Sequence, residues 1–178
     1  MNADALFTRA AAASLPEGSK ERSLATLALR RLWHTVFDPC PGLAGLYGDK
    51  NRGFLDPFLE HAARRSLSMR WSLHAHLLAW MRGEDPAALT PELEVELLAA
   101  AAARWANEDQ SGAKGMLLYS AGPPGAALAA WKLRAADQDV RVVLVDLPAP
   151  DLPAPGVYAA AFEEDRYPGA PAWGPVPD

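Results

Sequence analysis

Through most of the first 110 residues apolar side chains recur every three or four positions, the spacing of one buried stripe on an α-helix. Residues 3–13 favour helix by propensity and are closed by Pro16 and Gly18. Ser19 offers an N-cap oxygen to a second helix, whose core-facing positions are Ala25, Ala28, Leu29, Leu32, Trp33 and Val36, with Lys20, Arg30 and Arg31 elsewhere on the wheel. Asp38-Pro39 stops it, because the residue before a proline is pushed out of helical geometry. Residues 38–54, rich in glycine, read as an irregular loop longer than most connections. Asp56 as N-cap and Pro57 in the first turn restart a helix that continues to Arg82 with Gly83 as terminator, and Ser66 and Ser68 mark a break within it. Its stripe is Leu59, Ala63, Leu73, Leu77, Trp80 and Met81. Thr90-Pro91-Glu92 then combines a cap, a first-turn proline and an acid at the positive end of the helix dipole. The stripe that follows is Leu93, Leu97, Leu98, Ala101 and Trp105.

Beyond a hinge at Ser111-Gly112 and Gly115 the pattern changes. Residues 116–120 are a short apolar run, 126–136 have helical spacing, and 140–146 are rich in valine. This order predicts a strand, a helix and a strand, a βαβ unit of about 30 residues. A third strand over 157–162 follows too soon for a parallel crossover, so it is expected antiparallel or at an edge. The expected fold is α+β: four or five helices, then a βαβ unit and an edge strand in a small mixed sheet. The helical region (1–110) and the βαβ region (111–162) are expected to form one integrated domain, with a proline-rich tail over 163–178 that is frayed or laid against the body by Trp173. Trp33, Trp80, Trp105 and Trp131 are expected to anchor the core.

Half the residues are hydrophobic and 22% are charged, ordinary globular values. No apolar run reaches the ~18 residues of a membrane span, the N-terminus lacks a secretory h-region, and one cysteine excludes an internal disulfide. A cytoplasmic address is the expectation. Charge is unevenly placed: residues 1–82 hold 11 Lys/Arg against 7 Asp/Glu, and residues 83–178 hold 6 against 15. Neither half carries the dense basic stripe of a dedicated nucleic-acid binder.

The turn in the expected βαβ unit, Ser120-Ala-Gly-Pro-Pro-Gly125, resembles the Gly-x-Gly-x-x-Gly fingerprint of dinucleotide-binding enzymes, especially the form found in flavin-dependent oxidoreductases. The resemblance implies a pyrophosphate held by Ser120, Gly122 and Gly125 at a helix N-terminus, and a ribose held by Asp146. Other candidates are weaker in pattern. His74 and His76 sit two apart in a helical context, where side chains diverge by about 200° and cannot share one ion. No His-x-x-x-His or Cys-x-x-Cys joins them or His34 and His61. Cys40, between two prolines in an exposed-looking loop, has no identifiable base beside it. In the same loop Leu46, Tyr47, Lys50 and Arg52 are adaptable partner contacts. Arg30, Arg31, Arg64, Arg65 and Arg70 could gather into a phosphate-contacting face.

No catalytic constellation stands out, and the sequence names no reaction. The reading adopted is a non-catalytic protein-binding module, such as an adaptor, a chaperone or an immunity-type partner, needing no cofactor or metal. It implies a protein partner, not nucleic acid or membrane, and leaves room for a small-molecule ligand. The alternatives are a nucleotide- or phosphate-binding protein, enzyme included, using the Gly122–Gly125 turn, and a nucleic-acid binder using the arginine face.

Overall fold

The computed structural model describes residues 9–47, 53–108, 114–120, 127–132, 142–145, 155–162 and 172–176. The fold is α+β: among the described residues six α-helices precede a small sheet, and the chain divides into two units at Met69/Arg70.

The first unit holds α1 (Arg9–Ala13), α2 (Lys20–Phe37), α3 (Pro41–Tyr47) and α4 (Leu55–Arg65). Ser19 caps α2 as expected, its hydroxyl accepting from the Arg22 amide at 3.1 Å. The helix turns Ala25, Val36 and Phe37 inward and leaves Leu29, Leu32 and Trp33 half-buried. The stretch read as a loop over 38–54 instead contains α3. Pro41 suits the first turn of a helix, Leu43 is fully buried, and the Ala44 amide donates to the Cys40 carbonyl at 3.0 Å. Burial of that leucine offsets the poor helix propensity of Gly42 and Gly45. Helix α4 starts one residue before the expected cap: Phe54 is the N-cap, and Asp56 and Pro57 lie in the first turn, where a missing N–H costs nothing. It ends at Ser66, whose left-handed backbone (φ 55°) produces the break expected there.

The second unit contains α5 (Leu73–Glu84), a 3-10 turn (Pro86–Ala88), α6 (Pro91–Glu108) and five strands: β1 (Lys114–Ser120), β2 (Ala127–Lys132), β3 (Val142–Val145), β4 (Gly156–Phe162) and β5 (Gly174–Pro175). Helix α5 is interior, with Leu73 to Leu78 all buried, and it runs through Gly83 to Glu84. Thr90 caps α6 as its sequence implies: the Thr90 hydroxyl accepts from the Leu93 amide at 3.3 Å, and its carbonyl accepts from Glu94 at 3.0 Å.

The sheet corrects the βαβ expectation. Residues 127–132, expected as helix, form strand β2, paired antiparallel to β1 from Ser120↔Ala127 to Gly115↔Lys132. Strand β3 pairs antiparallel to β2 and β4 antiparallel to β1, giving the order β3-β2-β1-β4-β5. The sheet is therefore antiparallel throughout, not mixed. Alanine propensity favours helix, but β1 pairs with β2 over the whole length of β2 and β3 pairs with it over Ala127–Ala130, and this tertiary pairing overrides the local preference. Strand β4 is antiparallel as expected but carries a neighbour of its own, because Gly174 and Pro175 pair with Ala159 and Tyr158.

Strand β1 is the centre of this unit, with all of residues 115–120 buried. Helix α6 packs on β1 and β2, and α5 on α6 and β4. Gly115, expected as a hinge, lies inside β1 under the Trp105 indole, where a Cβ would overlap the ring. That indole also stacks on Trp71, with centroids 4.7 Å apart and planes 14° from parallel. Of the expected tryptophan anchors Trp105 is buried, while Trp33 and Trp80 are only half-buried; the side chain of Trp131 is outside the described part.

Candidate functional site

Large apolar side chains that reach solvent are the first place to look for a partner site, because a folded monomer gains nothing from leaving them there. Among the described residues these are Leu24, Leu27 and Leu46, exposed at 56%, 61% and 49%, and all three lie in the first unit. Leu24 and Leu27 are one turn apart on α2, and Leu46 is near the end of α3.

Tyr47, next to Leu46, stacks on Phe54 with ring centroids 3.6 Å apart and planes 17° from parallel. The stack holds together the two ends of the segment that carries Lys50 and Arg52, which lie outside the described residues. Cys40, expected in an exposed loop, is fully buried where α2 gives way to α3, since its neighbours form helix rather than loop. Arg30, Arg31, Arg64 and Arg65 are exposed in the first unit, and Arg70, also exposed, belongs to the second.

In the second unit Glu94 of α6 stands between Arg82 of α5, 3.6 Å away, and Tyr119 of β1. Periodicity explains the meeting. Gly115 and Tyr119 share one face of β1 and lie about 14 Å apart, while Glu94 and Trp105 lie about 16 Å apart along α6. The helix thus runs against the strand, with Trp105 over Gly115 at one end and Glu94 facing Tyr119 at the other. The buried Tyr119 hydroxyl faces the carboxylate outside ordinary hydrogen-bond geometry. Burial first, and the Glu94 charge second, push the phenol up to about 12. Burial likewise raises Glu94 above the usual 4.5, against the lowering contributions of Tyr119 and Arg82.

A group whose folded pKa is raised favours the folded state below its unfolded value and loses that contribution as pH rises through the folded value. Glu94 therefore contributes less stability at pH 7 than at pH 4. A Glu94→Gln variant, which holds the neutral form permanently, should compare more favourably with the parent chain at pH 7 than at pH 4. Urea unfolding at the two pH values measures this, and an equal difference at both would show that Glu94 is not desolvated.

The dinucleotide reading loses its physical basis in this geometry. It requires a helix N-terminus after the Gly122-Pro-Pro-Gly125 turn, and the chain there enters strand β2. Ser120 is buried at the end of β1, paired with Ala127, while Gly122, Gly125 and Asp146 lie outside the described residues. His74 and His76 are both buried, on a helix enclosed on more than one side. Among the described residues no three His, Cys, Asp or Glu side chains are grouped as a metal site. No described helix is long and apolar enough to cross a membrane.

A family model described as methanobactin biosynthesis cassette protein MbnC-like matches residues 13–177. The chain belongs to the MbnC-like family. The match takes in both units and every strand of the sheet. No curated protein matches the chain. Sequence reasoning passed over Leu24 and Leu27, although the wheel that placed Ala25 and Val36 inward places these two outward; attention to apolar residues off the core stripe would have found them.

Proposed function

We propose that the chain is a non-catalytic, protein-binding component of a biosynthetic cassette of the methanobactin type, associating with another protein encoded in that cassette. The family description supports the cassette context. The observation that carries the binding role is Leu46, half-exposed beside the locked Tyr47–Phe54 stack. A leucine left in water at the end of a short helix, next in sequence to a stacked aromatic residue, is apolar surface that a partner would cover. Lys50 and Arg52, in the segment between the clasped ends, would add charged contacts at the rim.

The test is calorimetric titration of the purified full chain with each purified protein of its cassette. One of them is expected to bind, and Leu46→Asp combined with Arg52→Glu is expected to weaken binding roughly tenfold or more. Failure of every cassette protein to bind would remove the proposal.

A further inference from the structure

We infer that the outer face of α2 is a docking ridge for an acidic amphipathic helix carried by a protein of the same cassette, an inference that rests on the protein-binding reading above. At about 100° per residue Lys20, Leu24, Leu27 and Arg31 fall on one line along the helix, about 16 Å from end to end. Arg30 flanks that line, and all five residues are exposed. The opposite side, through Ala25 and Val36, is buried and already seats α2 in its unit. The two leucines therefore keep more than half of their surface in water. His34 continues the line, and Asp38 is engaged with it at 3.2 Å.

The order along the ridge is base, leucine, leucine, base. A partner helix running beside it repeats every three to four residues and matches that spacing with two apolar side chains in the middle and an acid one turn beyond at each end. Lys20 and Arg31 then each meet opposite charge, with Arg30 adding to the field on one side.

The same pattern argues against other occupants. Two copies pairing through this face would set Lys20 against Arg31 if antiparallel, and like against like if parallel, so both arrangements oppose positive charges. Two leucines without an aromatic residue bury too little to hold a helix in a lipid headgroup layer. A nucleic-acid backbone would meet the bases but strand the leucines at the centre of the contact.

The experiment places the photo-crosslinker p-benzoylphenylalanine at position 27 of the full chain, co-expressed with the proteins of its cassette. It then compares the affinity of the binding cassette protein for the parent chain, Leu24→Glu/Leu27→Glu, Lys20→Glu/Arg31→Glu and Leu46→Asp/Arg52→Glu. The crosslink is expected on a helix of the partner in which Asp or Glu lies one turn either side of apolar residues. The leucine pair variant should lose roughly 100-fold in affinity. The charge-reversed variant should lose roughly tenfold, by an amount that shrinks as salt is raised. These substitutions are on a solvent face, so unchanged circular dichroism separates lost docking from lost folding. A crosslink to a second copy, or leucine-dependent binding to phosphatidylglycerol vesicles without partner, overturns the inference. If a cassette protein binds and only the Leu46/Arg52 variant weakens it, the ridge is wrong and the protein-binding reading stands. If no cassette protein binds the parent chain, both fall.

Discussion

Replacing Gly115 with valine is expected to destabilise the second unit by about 3 kcal/mol, the upper part of the usual range for forcing extra atoms into a filled core. Valine is a better strand former than glycine, and on an open strand it would help. Here a Cβ overlaps the Trp105 ring, and any shift of the ring disturbs its stack with Trp71. Either the indole leaves its rotamer or β1 separates from α6, and both lose dispersion contacts over a large aromatic surface. The measurement is urea unfolding followed by tryptophan fluorescence and far-UV circular dichroism. A valine variant as stable as the parent would show that the indole does not lie over the strand.

Trp105→Ala is expected to cost about 3–5 kcal/mol by the opposite route, leaving a gap where Gly115 has no side chain to relax into it. Trp71 would lose its stacking partner, so the near-UV circular dichroism of the aromatic pair should fall even where the variant remains folded. The two sites touch, so their effects should not add. Gly115→Ala placed on a Trp105→Leu background should cost less than on the parent, with a coupling of about 0.5–3 kcal/mol. Strict additivity would argue against the contact.

What could be read from the chain in advance follows the range of the physics involved. Ser19 and Thr90 announce helix starts because a cap is settled by residues within three positions of it. Ser66 announces the end of α4 for the same reason. Strand β2 is invisible locally: Ala-Leu-Ala-Ala-Trp-Lys favours helix, and only its two neighbours make it a strand. Strand β1 misled differently. Reading residues 126–136 as a crossover helix made β1 and β3 parallel neighbours, and that expectation fell once β2 took the place between them. Helix α3 hid behind two glycines until the burial of Leu43 is known. The pairing of Trp105 with Gly115 is a meeting across elements that no spacing in the sequence encodes. The candidate site was legible in part: Leu46 and Tyr47 were singled out for their chemistry, while the leucines of α2 were lost by attending only to the side facing inward.

The strand order also has a temporal meaning. Strand β2 comes to β1, and β3 to β2, by short connections, whereas β4 arrives at the other edge of β1 only after the longer intervening segment, and ring-closing entropy disfavours that later step. During folding β1, which ends up buried over residues 115–120, therefore passes through an interval with one flank unmatched, and that interval is when the chain is most open to pairing with a stranger.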